Sequence, residues 1–353
     1  MAAEAASLSL FVLSGEESTL PAAEIHALAE TYSRTPLRFG KIGRRLISVE
    51  GLGNSTVPRI AERAAYCRFG GELLGTSETI SGLEASVDAR SIPEGKKFVV
   101  ASETLDKAVC GEIGALIKAK TGARVSLENP DYVFQAEDSR AGFFALGLSR
   151  SGFKEFSWRT RRPRARRFFL PSAIYPKFAR LLVNLSRVRE GEYFLDPFCG
   201  TGSLIIESSI MGMKSIGGDL TRWIARGAKL NMQGLSLDFE GILRLDATHP
   251  HFPLSHVDAI STDVPYGRAA STKGKATEEI LREFSTAAVE ILAPTATYMS
   301  ESERRSKYCV VMHPSHVTFD YDKTSFELAE RHLVYVHRTL TRAISVLKRK
   351  LPS

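Results

Sequence analysis

The chain predicts two structural classes in succession: an α+β region to about residue 155, then an α/β region with a mostly parallel, doubly wound sheet and a C-terminal antiparallel hairpin. Three observations predict this. From residue 168 onward, apolar strand-like runs alternate with helical patterns, an order that requires crossover helices and therefore parallel strands. The first of those runs ends in Asp196-Pro197-Phe198-Cys199-Gly200-Thr201-Gly202, a glycine turn from a buried strand into a helix. Before residue 155 short strands and helices follow one another without regular alternation.

In order, a strand is expected over 8–13, a helix over 22–32 after Pro21, and strands over 37–39 and 45–50. Gly51, Gly53 and Pro58 interrupt the pattern and mark a boundary at 55/56. Helical stretches at 58–66 and 83–90 follow, then strand 97–102, helix 104–121 and strands 123–127, 132–137 and 142–148. A second unit thus covers 56–153, and residues 154–170 read as a linker. Six arginines stand between Arg159 and Arg167, and Pro163 among them disfavours a continuous helix, so the segment is expected to be an exposed connection. The region 171–353 should contain strand 193–198, helix 203–211, strand 214–219, helix 223–233, strands 241–246 and 257–263, helix 277–292 and strand 308–313. Segments 325–332 and 333–346 have no helix between them and read as the closing hairpin.

A chain of 353 residues, 43% hydrophobic and 25% charged, is that of a multidomain globular protein. The net charge of +7 is unevenly spread. Residues 1–150 carry 17 Lys and Arg against 19 Asp and Glu, whereas 151–353 carry 30 against 21, a bias that suits a polyanionic partner. Cys67, Cys110, Cys199 and Cys309 form no CxxC pair, so neither a metal site nor a disulfide framework is expected. The apolar run 8–13 lacks a preceding basic residue and reads as a strand, and no run of about 18 apolar residues occurs. No membrane association is expected, and a cytoplasmic location is the simplest reading.

The chemistry is concentrated at strand ends. Gly200 and Gly202 allow positive φ and close backbone approach, and the helix that follows offers free N–H groups. No Gly-Lys-Ser/Thr follows, which excludes a triphosphate loop, and the turn is not a G-x-G-x-x-G fingerprint. The next strand ends in Gly217-Gly218-Asp219, where a carboxylate can bind vicinal ribose hydroxyls. The third ends in Asp246-Ala247, suited to an adenine edge. The fourth runs into Asp263-Val264-Pro265-Tyr266, 67 positions beyond Asp196. An exocyclic base amine is a poor nucleophile because its lone pair is delocalised into the ring. Acceptors that take its hydrogens favour attack, and the Asp263 carboxylate with the Val264 carbonyl suits that task, while Tyr266 can stack on an extruded base. Cys199 lies in the glycine loop and not beside Pro265, which disfavours pyrimidine C5 chemistry. These motifs point to S-adenosylmethionine-dependent N-methylation of a nucleobase, with no metal required.

On these residues the chain resembles the archaeal tRNA guanine-N2 methyltransferases that act on position 10. Val125 to Asp131 resembles a THUMP signature, Phe168 to Lys177 the segment leading into the methyltransferase fold, and Leu195 to Gly202 and Thr262 to Arg268 the two central motifs. Tyr335 to Arg342 is similar to the family's closing strand. The resemblance implies an N-terminal ferredoxin-like region (1–55), a THUMP RNA-binding domain (56–153), the arginine-rich linker (154–170) and a Rossmann-like class I methyltransferase domain (171–353). It implies cofactor contacts from Ser172, Asp196, Phe198, Gly200, Thr201, Gly202, Asp219, Leu220, Asp246, Ala247 and Asp263. Asp263, Val264, Pro265 and Tyr266 would hold the guanine, and Arg161, Arg162, Arg164, Arg166 and Arg167 would meet RNA.

One position departs from the family pattern, which usually has Pro-Pro before the Tyr. Val264 adds an N–H and frees φ, so a less pre-organised clamp is expected. The expected product is N2-methylguanosine at position 10 of tRNA, with a second methyl left open. Methylation of another tRNA guanine, as in the acceptor stem, and a non-catalytic tRNA-binding role are the alternatives. An activator subunit is neither required nor excluded.

Overall fold

The computed structural model describes residues 8–33, 35–150, 158–250, 257–266, 275–292, 306–318, 321 and 325–350. Gly267 and Arg268 of the second motif and residues 154–157 of the expected linker lie outside these. The chain divides into two compact units, Met1–Phe156 and Ser157–Ser353.

The first unit is built on β1 (Leu8–Leu13), α1 (Leu20–Tyr32), β2 (Arg38–Lys41), β3 (Leu46–Glu50), α2 (Thr56–Arg63), β4 (Cys67–Ser77), β5 (Lys97–Ala101), α3 (Lys107–Thr121), β6 (Arg124–Val125), β7 (Tyr132–Asp138) and β8 (Phe144–Arg150). All eight strands form one sheet in the order β2-β3-β1-β4-β8-β7-β5-β6. Pairings are antiparallel except β5 with β6 and with β7. Phe11, Ile25, Leu28, Val49 and Ile60 pack α1 and α2 onto one end of the sheet. Phe98, Ile113, Ile117, Phe134 and Leu146 do the same for α3 at the other. The Glu24 carboxylate on α1 is buried and accepts from the Ala65 and Tyr66 N–H groups, both at 2.8 Å, which fixes the path from α2 into β4.

Strand β4 lies at the centre of this sheet and was not expected from sequence. Gly70, Gly71 and Gly75 interrupt the apolar alternation that signals a strand. They serve packing instead: a Cβ on Gly71 would stand 2.4 Å from the Leu148 carbonyl oxygen, and one on Gly70 would stand 2.7 Å from the Ala61 methyl. The helical stretch expected at 83–90 is a short 3-10 helix at Ser81–Ser86.

The second unit contains α4 (Pro176–Leu185), β9 (Tyr193–Asp196), α5 (Ser203–Ile210), β10 (Lys214–Asp219), α6 (Arg222–Gly234), β11 (Gly241–Arg244), β12 (Ala259–Asp263), α7 (Thr277–Ile291), β13 (Tyr308–Pro314), β14 (Phe326–His337) and β15 (Leu340–Arg349). The sheet order is β11-β10-β9-β12-β13-β15-β14. The first five strands are parallel, and β15 pairs antiparallel with both β13 and β14. This is the α/β architecture with a C-terminal hairpin that the alternation predicts. Helix α4 was not anticipated; it begins at Pro176, which suits a first helical turn. The hairpin turn falls at 338–339, five residues beyond the expected break. The run Leu333-Val334-Tyr335-Val336 continues β14 with no turn residue to stop it. Leu195, Ile260, Phe284, Val311, Phe326 and Leu347 form the core between α7 and the sheet.

Candidate active site

The carboxyl ends of β9, β10 and β12, together with the turn after β11, open onto one cavity of about 440 Å³. Ligands of doubly wound sheets bind at such strand ends, where the strand order reverses beside the first strand. Every predicted cofactor and base residue of this unit lines it except Gly202, which caps α5 from the loop. Gly200 and Gly202 have φ of +51° and +82°, so the turn uses the conformational freedom that glycine provides. The loop is fixed from outside the motif. Cys199 N–H donates to the Gly218 carbonyl at 2.7 Å. The buried Asn231 amide on α6 donates to the carbonyls of Thr201 and Phe168, each at 2.9 Å, and its oxygen accepts from Phe168 N–H at 2.8 Å.

The acidic strand ends differ in how far they are satisfied. Asp196 Oδ1 accepts from Thr262 Oγ1 at 2.6 Å and from Phe198 N–H at 3.2 Å. Burial pushes its carboxyl up to about 7; those two hydrogen bonds oppose the shift, and the charges of Asp263 and Asp219 add to it. Asp219 accepts from Thr221 N–H at 2.8 Å, and burial also raises its carboxyl. Asp246 Oδ1 accepts from Thr248 Oγ1 at 2.7 Å. Asp263 is the least satisfied: among the described residues Oδ1 is buried without a hydrogen-bond partner, and Arg342 stands 3.8 Å from Oδ2. Burial pushes Asp263 up to about 7 against the pull of Arg342. A cavity crowded with carboxylates that burial destabilises in their charged form fits a ligand bearing positive charge, and adenosyl sulfonium chemistry meets that requirement.

Val264 resolves the departure noted in the sequence. Its N–H donates to the Met312 carbonyl at 3.0 Å, extending the β12–β13 ladder, and its side chain is fully buried in the core. Proline could not make that bond. Cys199 is buried and its thiol is pushed upward chiefly by that burial, so it is an inert packing residue of the loop.

The arginine run is an exposed connection only in part. Arg162, Arg164 and Arg167 are exposed. Arg161 and Arg166 turn inward because α5 offers them buried acceptors. Arg166 donates to Ser203 Oγ at 2.7 Å and to Thr201 Oγ1 at 3.4 Å, and burial lowers its guanidinium to about 10. Arg161 Nε donates to Glu207 Oε1 at 2.8 Å, while Arg180 Nε donates to Oε2 at 3.0 Å. The Glu207 carboxylate is fully buried, and both guanidinium groups lie against the Trp158 ring. Two short 3-10 turns, Arg159–Arg161 and Pro163–Ala165, produce this folding-back.

Sequence reasoning missed Arg342, Asn231, Glu207, Thr262 and Lys275. Arg342 reaches the cavity from β15, and Lys275 lies at its lining paired with Glu283. A mid-helix Asn and a Glu amid the apolar run of α5 were the available signals, since each is costly at a buried position without partners. Among the described residues no group of three or more His, Cys, Asp or Glu could hold a metal ion, and no helix is long and apolar enough to cross a membrane.

Residues 163–320 match the model of an RMKL-like methyltransferase domain, the UPF0020 family. The chain is 31% identical over 358 residues to the tRNA (guanine(10)-N2)-dimethyltransferase of Methanothermobacter thermautotrophicus, covering 96% of this chain and 99% of the relative. It is 29% identical to the enzyme of that description from Methanocaldococcus jannaschii, with 96% and 99% covered. The crystal structure of TrmN from Thermus thermophilus aligns over 97% of this chain and 99% of that one, with 17% identity and a TM-score of 0.49.

Proposed function

The chain belongs to the tRNA (guanine(10)-N2)-dimethyltransferase family, and we propose that it methylates the N2 amine of guanine 10 in tRNA from S-adenosylmethionine. The observation that carries the site reading is the under-satisfied Asp263 carboxylate in a cavity shared with Asp196, Asp219 and Asp246. The cofactor supplies an electrophilic methyl group when bound. Gly200, Thr201, Phe198 and Ser172 would surround it, with Gly202 shaping the loop as the cap of α5; Asp219 beside Leu220 would accept from ribose hydroxyls, and Asp246 with Ala247 would meet the adenine edge.

The amine is handled by the chain's own groups. Asp263 and the Val264 carbonyl accept its two hydrogens, which returns lone-pair density to the nitrogen. Asp263 accepts the proton released as the N–C bond forms and the S–C bond breaks; its raised affinity for protons suits that step. Pro265 stiffens the turn and Tyr266 stacks on the base. Residues 56–153 act as the THUMP-type RNA-binding part following a ferredoxin-like 1–55. Exposed Arg162, Arg164 and Arg167 contact phosphates; Arg161 and Arg166 serve the fold of the second unit.

The test is labelled S-adenosylmethionine with an unmodified tRNA transcript, followed by nucleoside mass analysis and position mapping. Methylguanosine at position 10 is the expected outcome, and the ratio of mono- to dimethylated product reports the room around the amine. Methyl transfer to a different guanine refutes the position, and cofactor and tRNA binding without transfer refutes the enzymatic role.

A further inference from the structure

The residue that completes the base clamp comes from the far side of the sheet. Arg342 lies opposite Pro314 of β13 and Val334 of β14, and its side chain reaches across to the end of β12. Its Nη1 stands 3.8 Å from Asp263 Oδ2 and 3.9 Å from the Met312 sulfur. Its guanidinium carbon sits 5.4 Å from the centroid of the Tyr266 ring, within cation–π range. Both members of the Asp263–Arg342 pair are largely buried, each side chain 19% exposed. Arg342 Nε is buried without a hydrogen-bond partner among the described residues, and Nη1 donates to the Met312 sulfur, so the guanidinium is placed by that long contact together with the charge of Asp263 and the Tyr266 ring.

We propose that Arg342 is a positioning residue for the methyl-accepting amine: one guanidinium orients the Asp263 carboxylate through Oδ2 and the Tyr266 ring through its face. This rests on the reading of Asp263 as the amine's acceptor. The two base-contacting side chains are then not independent. A carboxylate is free to rotate about its last bond, and a ring on a turn is free to tilt; a single planar cation between them sets both. Electrostatics act in the same direction. Asp263 faces Asp196 from β9, Tyr266 from its own segment and Arg342 from β15. Arg342 is the cation that opposes burial at Asp263.

Arg342→Met keeps length and removes charge, and Arg342→Lys keeps charge and removes the planar fork. Two measurements are made on the full chain. The first follows Asp263 protonation by difference infrared spectroscopy, with Asp263→Asn as the blank. The midpoint near 7 is expected to move upward in Arg342→Met and to return toward the wild-type value in Arg342→Lys; an unmoved midpoint overturns the proposal. The second is steady-state methyl transfer to the tRNA transcript, with cofactor affinity measured separately by calorimetry. Arg342→Met is expected to lower kcat on the order of 100-fold, the scale of a misplaced reacting group, with its acidic limb at higher pH and cofactor Kd within about twofold of wild type. A loss confined to cofactor affinity or melting temperature overturns a positioning role. A midpoint that moves in Arg342→Met while the wild-type protein transfers no methyl to guanine supports the contact and overturns the functional reading.

Discussion

Replacing Glu207 with Ala tests whether the cofactor loop is held from beneath by a buried charge cluster. The carboxylate is 0% exposed and receives Arg161 at 2.8 Å and Arg180 at 3.0 Å, with Arg180 1% exposed and Arg161 12%. Removing one partner of a buried pair leaves an uncompensated charge and costs about 3–5 kcal/mol. Here two guanidinium groups lose this carboxylate at once. For a unit of this size each kcal/mol lowers Tm by about 2–4 °C, giving a fall of roughly 6–20 °C. Glu207→Gln keeps the shape and one acceptor oxygen and falls less, by the loss of charge-assisted hydrogen bonding, about 1.5–3 kcal/mol. The assay is thermal denaturation with and without S-adenosylmethionine, following the transition that the cofactor raises. Arg162→Ala, at an exposed position in the same run, is the control. A Glu207→Ala protein that melts with that control refutes the reasoning, as does a Gln variant less stable than the Ala one.

The remaining predictions follow from the same geometry. Asp263→Asn should reduce methyl transfer at least 100-fold, on the scale of general base catalysis, while tRNA affinity measured by filter binding stays nearly intact; normal turnover refutes the acceptor role. Because Asp196 and Asp263 are raised to about 7 from about 4 in the unfolded chain, the folded protein binds more protons between those values. Stability of the cofactor-free protein contributed by these groups is therefore highest at low pH and declines as pH rises from about 4 to 7; Tm of Asp263→Asn should fall less than that of wild type from pH 5 to 8. Val264→Pro removes the N–H bonded to Met312 and should cost about 1 kcal/mol in denaturant titration with transfer retained. Substituting Arg162, Arg164 and Arg167 together by Gln should reduce the slope of log K against log salt for tRNA by roughly 2–3; an unchanged slope makes them bystanders.

How much was legible depended on whether a feature is local. The second unit was legible because each strand, its terminal Asp and the next helix are contiguous, so Asp196, Asp219, Asp246 and Asp263 declare themselves one after another. Their meeting around one cavity follows from the parallel topology that the alternation implies. Arg342 was not legible as a site residue, since it lies 79 positions from Asp263 and joins it only through the β13–β15 pairing. The inward placement of Arg161 and Arg166 was not legible for a related reason. A dense arginine run looks solvated until the fold supplies acceptors, and Glu207, Ser203 and Thr201 belong to a different segment. In the first unit β4 was missed because glycines that permit close packing look, in sequence, like interruptions.

The continuity of the first sheet bears on how this chain can be cut. Strand β1 occupies one side of β4 from Ser9 to Leu13, and β8 occupies the other. A fragment starting at residue 56 would keep the whole expected RNA-binding part yet strip the partner from one side of an eleven-residue strand. The N–H and C=O groups so exposed are a template for another chain, and the apolar faces of Phe69 and Leu73 lie beside them. Strand β1, held in turn by β3, therefore covers an edge that β4 would otherwise expose. Dissection of the two functions should leave residues 1–150 whole, because truncation at the apparent domain boundary would yield self-associating material whatever its affinity for RNA.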